Sequence, residues 1–415
     1  MKILIFMEDY FCGGVDTFVI NLINNWPYQS DEIILACNRG HSGLGLLRSS
    51  IARKYNLVVH GIKTFTSFFE HPYRKNIFDK FTAIVFRILS PVLRYLFLAY
   101  NILALKKVLL EDGPDRLLVV NNGYPAGDSC RAAAISWQLF SKKPLSIHNF
   151  HGIALKPGWH IRLQEQLVDM LVSRASRIFV SVSRSAAQSM SCRNFIYRNN
   201  KVTFVYNGIG ISNHGRRQDA SDLKFKLGIP AASQLCLMLG AYHSNKNFNK
   251  GHDFLLRAFK KVLNELPNTH LLICGYGFPA DIEKVWRLVL GHSIEGNIHL
   301  SGFRDDIHSL LSHTDIVLIA SQAFESFCLA SIEAMAHSVP VVATNVGAIP
   351  EIVVDGQGGY CVDKNDIDGY VKHIISLLSD NTLREEQGRM GFERYRELFT
   401  AHRMSQEYAR LVRNV

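Results

Sequence analysis

Residues 324–335, with the sequence FESFCLASIEAM, lie between two apolar runs that are typical of buried strands. The run before them is DIVLIAS, residues 315–321, and the run after them is VPVVAT, residues 339–344. Strand, short loop, helix and strand in this order predict a βαβ unit with parallel strands. The loop then falls at the carboxyl end of its strand, which is the edge where open α/β sheets bind ligands.

Two glutamates mark this predicted unit. Glu325 lies in the loop, and Glu333 lies eight positions later, inside the helix. Because a helix rises about 1.5 Å per residue, Glu333 is expected roughly 10–12 Å past the loop, about the distance from the sugar ring to the ribose of a nucleotide sugar. The amides that open the helix belong to Ser326, Phe327, Cys328 and Leu329. A helix N-terminus attracts a diphosphate, so one carboxylate could bond sugar hydroxyls and the other the ribose. In an isolated helix, a first-turn glutamate and a solvated one would explain the same spacing.

Length and composition predict a two-domain α/β protein. A chain of 415 residues exceeds what one hydrophobic core usually supports, and 47% hydrophobic residues is typical of a well-filled core. The formal net charge of +10 indicates an anionic partner, such as a nucleotide diphosphate, an anionic lipid or nucleic acid. Basic and aromatic residues are not interleaved as in nucleic-acid modules, so we expect no nucleic-acid partner. The eight cysteines form no C-x-x-C pair, which predicts reduced thiols in a cytosol.

Apolar runs and helical stretches alternate in two successive series. The first series predicts strands at 2–7, 31–37, 57–62, 116–121, 144–149, 177–182 and 202–206. The second predicts strands at 234–239, 269–274, 297–300, 315–320 and 339–343. A polar, glycine-containing stretch follows Asn207-Gly208 and separates the two series. The pattern therefore predicts two doubly wound domains, 1–207 and 208–390, followed by a helical C-terminal stretch, 391–415.

The segment Phe81–Leu110 raises the question of a membrane. It is long and apolar, but Arg87, Pro91 and Arg94 interrupt it, which argues against a spanning helix. Two interpretations stay open: a pair of core helices, or a helix in the lipid interface whose cations meet head groups. The apolar N-terminal run is too short for a signal peptide, so we expect a cytoplasmic protein, at most peripheral on the inner membrane face.

The stretch from Gly302 to Val362 resembles the donor half of retaining GT-B glycosyltransferases of family 4. Glu325 and Glu333 match the E-x7-E motif of that family, and EAMAHSVPVVAT, residues 333–344, matches the run that follows it. The resemblance implies two Rossmann-like domains facing across a cleft, with the C-terminal helix crossing back to the first domain. It also implies a retaining hexosyltransferase that uses a UDP- or GDP-sugar, without a metal, in a front-face reaction.

The acceptor is expected to be a hydroxyl of a lipid-linked glycan. The basic charge and the 81–110 segment favour this acceptor, which belongs to cell-surface polysaccharide: lipopolysaccharide, O-antigen, capsule or exopolysaccharide. Two alternatives come from other classes, namely a non-catalytic nucleotide-sugar-binding protein and a GT-B enzyme such as a sugar-nucleotide epimerase or a phosphorylase. Product analysis separates them.

By resemblance, the catalytic residues are Glu325, His151 and Lys250. The residues expected at the donor nucleotide are Gly13, Gly14, Asn207, Gly240, Lys246, Gly275, Tyr276, Ser326, Phe327, Cys328, Leu329 and Glu333. His151 follows a predicted strand end, and His148 is the structural histidine of the pair. Each glycine and Asn207-Gly208 could also mark a plain turn.

The chain departs from the family pattern at two places. The family places an arginine after the strand-end glycine Gly240, where this chain has Ala241, so Lys246 is the candidate substitute. The family often has E-G-F-G where this chain has Glu325-Ser326-Phe327-Cys328, which narrows the expected sugar pocket. The letters D-x-D at 366–368 begin a predicted helix, where acids favour the first turn, so we predict no metal site there.

Overall fold

Two parallel β-sheets organise the chain in the computed structural model, which describes residues 1–65, 67, 68, 80–210, 224–242 and 249–414. Within residues 80–91 only the helical course of the backbone is described. Met1–Asn207 and Ala401–Val415 form one compact unit, and Gly208–Thr400 form a second.

The first unit has a seven-stranded parallel sheet. Its strands are β1 Lys2–Met7, β2 Glu32–Asn38, β3 Asn56–His60, β4 Arg116–Asn121, β5 Ser146–Phe150, β6 Ser176–Ser181 and β7 Lys201–Phe204. Its helices up to residue 207 are α1 Gly14–Asn24, α2 Leu44–Ser50, α3 Lys80–Leu110, α4 Asp128–Phe140, α5 Arg162–Ala175, α6 Arg184–Ser189 and α7 Asn194–Asn199. The strand order is β3-β2-β1-β4-β5-β6-β7, so the chain reverses its direction of winding between β3 and β4. This is a doubly wound sheet whose carboxyl ends share one edge.

The second unit repeats this architecture with six parallel strands. They are β8 Gln234–Leu239, β9 Thr269–Cys274, β10 Ile298–Gly302, β11 Ile316–Ile319, β12 Val341–Asn345 and β13 Gly359–Asp363, in the order β10-β9-β8-β11-β12-β13. The helices are α8 His252–Glu265, α9 Pro279–His292, α10 Ile307–Leu311, α11 Leu329–Ala336, α12 Ile349–Ile352, α13 Ile367–Ser379 and α14 Asn381–Leu398. A last helix, α15 Ala401–Arg413, belongs to the first unit. All twelve predicted strands are present with small shifts at their ends, while β13 was not predicted.

Helices cover both faces of the first sheet. One face packs against α1, α2 and α15, and the other packs against α3, α4 and α5. Helix α4 is buried nearly all round, and its Ala132, Ala133 and Ala134 are fully buried. Small side chains let neighbouring helices approach closely, and both α3 and α5 pack against α4.

Two predicted helical stretches differ from the structure. Residues 80–110 form one helix of 31 residues that continues through Pro91, so the interpretation as a pair of helices was wrong. The stretch after residue 391 is broken into α14 and α15, because the side chain of Phe399 enters the core and Thr400 pairs with Ile209. Of the helices in the described part of the chain, none has both the length and the apolar character that crossing a bilayer requires.

Candidate functional site

The carboxyl end of β11 carries a charged pair in the second unit. The Nζ atom of Lys250 lies 2.5 Å from Oε1 of Glu325, and the hydroxyl of Ser321 donates to the same oxygen at 2.6 Å. The buried hydroxyl of Thr344 donates in turn to the carbonyl of Ser321 at 2.7 Å. Glu325 is therefore held by a cation and a hydroxyl, both placed by strand ends of one sheet.

The loop of Lys250 lies directly on the strand end that leads to Glu325. The carbonyl of Asn249 accepts from the amide of Gln322 at 2.9 Å. Gly251 has φ of +79°, and a Cβ at this position would lie 1.7 Å from the carbonyl oxygen of Ala320. Only glycine combines this left-handed backbone with so close an approach, so Gly251 permits the pairing of Lys250 with Glu325.

A second glycine loop fixes Glu325 from the other side. The amide of Ala348 donates to the carbonyl of Glu325 at 2.8 Å. Gly347 has φ of +57°, and a Cβ there would lie 2.2 Å from the same carbonyl oxygen. Three loops, which follow β8, β11 and β12, therefore converge on one residue, Glu325, the first on its carboxylate and the last on its backbone carbonyl.

Electrostatics keep the Lys250 ammonium charged. Burial opposes the charge, but the neighbouring Glu325 carboxylate more than offsets this, so the pKa of Lys250 lies above its ordinary value. Burial raises the pKa of the Cys328 thiol to about 11, so this side chain is a neutral thiol at neutral pH. A permanent cation beside a carboxylate is an arrangement that can accept a negatively charged leaving group.

Helix α11 begins at this pair and carries the second glutamate. Cys328 is its N-cap, and the carbonyl of Cys328 accepts from the amide of Ser331 at 3.2 Å. Half-buried Glu333 lies in the second turn, and burial raises the pKa of its carboxyl group to about 7. Ser326, Phe327 and Leu329 are half-buried around the helix start. The structure thus places Glu325 in the loop before α11 and Glu333 within the helix.

The strand-end glycines of the second unit lie beside Lys250. A Cβ at Gly240 would lie 3.6 Å from Cγ of Lys250, and a Cβ at Gly275 would lie 2.0 Å from the carbonyl oxygen of Gly240. Tyr276 is exposed next to Gly275, and its carbonyl accepts from the amide of Tyr242 at 2.9 Å. The structure thus brings Gly240, Gly275 and Tyr276 to the edge that holds Lys250, whereas Lys246 lies outside the described residues.

The predicted histidine of the first unit is a neutral group. The amide of His151 donates to the carbonyl of Asn121 at 2.8 Å, and its ring lies edge-on to Phe18 at 4.4 Å between centroids. Burial lowers the pKa of His151 to about 3, and within the described residues its buried Nε2 has no hydrogen-bond partner. An unpaired buried ring nitrogen costs free energy, which a ligand hydroxyl could recover.

His148 is packed differently from His151. Its ring is fully buried, stacked on Phe179 at 5.4 Å and edge-on to Tyr124 at 5.8 Å. Burial lowers its pKa to about 3. Within the described residues both of its ring nitrogens also lack a hydrogen-bond partner, but aromatic rings cover this histidine on two sides, so its environment is that of a core residue.

The glycine loop after β1 is hydrogen-bonded to the first turn of the helix that follows it. The amide of Gly13 donates to Oδ2 of Asp16 at 2.8 Å, and Oδ1 of Asp16 lies 2.6 Å from Nε2 of His41. Gly14 begins α1, and no atom lies within 4 Å of a Cβ built at Gly13, so the space beside this backbone is open. Asn207 is buried, and within the described chain its Oδ1 has no hydrogen-bond partner.

Sequence analysis missed two groups at these sheet edges. One is Ser321, which bonds Glu325. The other is Glu8, whose buried carboxylate accepts from the amide and the hydroxyl of Ser129, both at 2.7 Å. Burial, followed by the charge of Asp128, raises the pKa of Glu8. The position of Ser321 at the end of a buried strand, four residues before Glu325, was the available signal.

The described residues contain no group of three or more histidine, cysteine, aspartate or glutamate side chains placed to hold a metal ion. Asp366 of the D-x-D letters caps α13 instead, since its carboxylate accepts from the amide of Gly369 at 2.8 Å. All eight cysteines are free thiols.

Comparisons with known proteins agree with this architecture. Residues 219–394 match the family model described as "Glycosyl transferases group 1". The N-acetyl-alpha-D-glucosaminyl L-malate synthase of Bacillus anthracis is 30% identical over 210 residues, which is 51% of this chain and 53% of that protein. The capsular polysaccharide biosynthesis glycosyltransferase CapM of Staphylococcus aureus is 25% identical over 75% of this chain and 80% of its own length.

A solved structure extends the likeness over the whole chain. HepE of Anabaena, solved in complex with UDP, superposes with a TM-score of 0.74 at 17% identity and covers 100% of both chains. The chain spans about half the length of several curated relatives that it matches. Residues 219–394 therefore match the model of the glycosyl transferases group 1 family, and the chain, with its two Rossmann-like α/β units, has the GT-B fold.

Proposed function

We propose that this protein is a retaining hexosyltransferase of family 4 that moves a sugar from a nucleotide diphosphate sugar to a hydroxyl acceptor. The observation that carries the proposal is the Lys250–Glu325 pair at the start of α11, with Glu333 in the same helix. Relatives named as transferases of capsule and lipopolysaccharide core biosynthesis support the reaction class. The relative HepE was solved with UDP and with UDP-glucose, which supports a UDP-sugar as the first donor to test.

In the proposed reaction, the bond from the anomeric carbon to the diphosphate breaks, and a bond to the acceptor oxygen forms on the same face. The departing diphosphate takes the proton of the acceptor hydroxyl, so no side-chain base is needed. Lys250 and the first amides of α11 stabilise the charge that develops on the diphosphate. A preorganised cation lowers the barrier because its position needs no adjustment as the charge develops.

Glu325 has two roles in this mechanism. It holds Lys250 in place before the donor binds, and its second carboxylate oxygen is directed to hydroxyls of the donor sugar. Glu333 takes the ribose hydroxyls, and neutral His151 accepts from or donates to a sugar hydroxyl through Nε2. No step requires a metal ion.

The proposed acceptor is a lipid-linked glycan used for cell-surface polysaccharide at the inner face of the cytoplasmic membrane. The net charge of +10 and the exposed apolar residues of α3, Val92, Leu96, Tyr100 and Leu103, support contact with an anionic membrane. Arg94 packs over the ring of Phe65 at 4.8 Å, so this cation also serves the fold.

A thermal-shift screen with UDP- and GDP-sugars tests donor binding, because a ligand raises the melting temperature in proportion to the logarithm of its concentration over Kd. One donor should stabilise the wild type and stabilise the Glu325→Gln variant much less. Product analysis by NMR should then show a new glycosidic bond with the anomeric configuration of the donor. Inversion of configuration, a changed stereocentre in the free donor, or the absence of any turnover would each contradict the proposal.

A further inference from the structure

Residues 155–171 of the first unit carry an apolar stripe at helical spacing. Trp159, which lies in a 3-10 turn before α5, is 89% exposed, and Leu163 and Leu167 on α5 are 75% and 60% exposed. Leu155 and Leu171 continue the stripe at both ends. Positions four residues apart lie on one face of a helix, so these side chains form a ridge about 18 Å long between residues 159 and 171. Contiguous exposed apolar surface of this kind marks an interaction site.

Within residues 155–174 the exposed charged side chains are all positive. Lys156, Arg162 and Arg174 are exposed, and Lys156 and Arg162 line a cavity of about 640 Å³ together with Arg198. The two acids of the segment, Glu165 and Asp169, are buried, and Asp169 lines the same cavity as Arg162.

Internal partners neutralise these two acids. Glu165 pairs with Arg131 at 3.1 Å and with Arg193 at 2.7 Å, and the hydroxyl of Tyr124 donates to Asp169 at 2.8 Å. Burial raises the pKa of Glu165. The charge of Arg131 and the contacts with Arg193 together outweigh this effect, so the pKa of Glu165 lies below its ordinary value. The outer face of the segment therefore presents cations and apolar side chains, with no exposed carboxylate between residues 155 and 174.

We propose that residues 155–171 dock this protein on an anionic lipid bilayer. Trp159 and the leucines enter the interface, where tryptophan is favoured, and Lys156, Arg162 and Arg174 meet the lipid phosphates. A second copy of the chain fits less well, because a twofold contact through this face would bring the same cations together.

The surface begins four residues after His151, at the carboxyl edge of the first sheet. The amide of Leu155 donates to the carbonyl of Tyr124 at 2.7 Å, so the start of the stripe is tied to the loop after β4. A bilayer on this surface would present a lipid-linked hydroxyl close to His151. This part of the inference rests on the proposed function, whereas the docking itself does not.

Vesicle co-sedimentation tests the docking surface. The wild type should bind vesicles that contain phosphatidylglycerol and be released at high salt, where the Debye length falls to about 3 Å. The double variant Leu163→Glu and Leu167→Glu should bind these vesicles at least about tenfold more weakly than the wild type. Its melting temperature should not change, since both side chains are exposed. Leu290→Glu on α9 of the second unit is the matched control and should bind like the wild type, because Leu290 is also an exposed helical leucine.

Tryptophan quenching locates the contact. Of the four tryptophans, Trp26 and Trp137 are buried, and Trp286 is 37% exposed but lies on α9 of the second unit, outside the proposed surface. Lipids with brominated acyl chains should therefore quench chiefly Trp159, and Trp159→Phe should remove most of the quenching. The proposal would be overturned if the double variant bound vesicles as well as the wild type does. It would also be overturned if neither protein bound vesicles and the wild type formed a concentration-dependent dimer that the double variant does not form. UDP binding without vesicles is measured in parallel. If the protein does not bind UDP, the proposed function is contradicted, while the vesicle result still decides the docking surface.

Discussion

The candidate groups of the two units differ in charge. In the second unit, Lys250 and Glu325 form an ion pair that three loops hold in place. In the first unit, His151 has an unpaired buried nitrogen, and burial lowers its pKa to about 3. A charged, preorganised group suits the stabilisation of a leaving diphosphate, whereas a neutral ring suits hydrogen bonds to hydroxyls. We therefore propose charge stabilisation for the second unit and hydroxyl recognition for the first.

Lys250→Met should have the largest effect. The variant keeps most of the apolar stem but removes the cation, so kcat should fall about 100-fold or more. Circular dichroism and the melting temperature should change little, because Lys250 is only half-buried. Lys261→Met is the matched control, since this lysine pairs with Asp368 on an exposed surface of the same unit. If the two variants were equally active, Lys250 would not stabilise the charge of the leaving diphosphate.

The two glutamates come next. Glu325→Gln and Glu333→Gln should each reduce transfer by about tenfold or more, because each loses a charge-assisted hydrogen bond to a hydroxyl. The loss at Glu333 should appear mainly as a higher KM for the donor. Glu351→Gln on α12 serves as the control for a glutamate outside the pair. If both variants turn over like the wild type, the donor site is assigned incorrectly.

His151 and His148 separate function from packing in the first unit. His151→Ala should reduce kcat/KM about tenfold with a small change in stability. His148→Ala should instead destabilise the fold by about 2–4 kcal/mol, because it opens a cavity between Tyr124 and Phe179, while the activity per folded molecule stays within about twofold. Chemical denaturation combined with initial rates measures both quantities. The reverse pattern would exchange the roles of the two histidines.

The pH dependence of donor binding should reflect Glu333 of the second unit and not His151 of the first. Burial raises the pKa of its carboxyl group to about 7, so lowering the pH from 8 to 6 protonates it and should weaken donor binding about fivefold. His151 stays neutral over this range and contributes no slope. Isothermal titration with UDP at several pH values should give a steeper pH dependence of Kd for the wild type than for Glu333→Gln, which keeps only the contribution of the terminal phosphate of UDP. Because its folded pKa is raised, Glu333 also makes the unliganded fold less stable as the pH rises from 4.5 to 7.

Removal of metals should have the smallest effect. If Lys250 and the amides of α11 carry the charge of the diphosphate, excess EDTA should change the initial rate by less than about twofold. A rate that EDTA abolishes and manganese or magnesium restores would show that a metal supplies this charge instead.

The sequence predicted the fold to the level of individual strands because parallel strands buried on both faces are near-continuous apolar runs. Strand β13 was not predicted because it begins with Gly359, and glycine is typical of turns rather than strands. The structure requires glycine there, since a Cβ would be 1.9 Å from the carbonyl oxygen of Val341 on β12. Helix α3 was divided at Pro91 because proline usually breaks a helix, although the backbone continues through it.

At the candidate site, the motif around Glu325 and Glu333 was visible because its residues are close together in sequence. The pairing of Lys250 with Glu325 joins residues 75 positions apart, so only the packing of the loops on Gly251 and Gly347 reveals it. Ser321 was missed for a related reason. A serine at the end of an apolar strand has no distinguishing pattern until the structure shows its bond to Glu325.

Helix α15 has a consequence for the order in which the protein can fold. Met404, Tyr408, Ala409 and Val412 of this helix fill the core between α1 and the first sheet, and Tyr408 receives a hydrogen bond from Asn149 at 2.6 Å. A ribosome makes these residues only after the whole second unit has been synthesised. Although the first unit emerges first, its core stays open until then, so during translation the second unit can close its own core before the first.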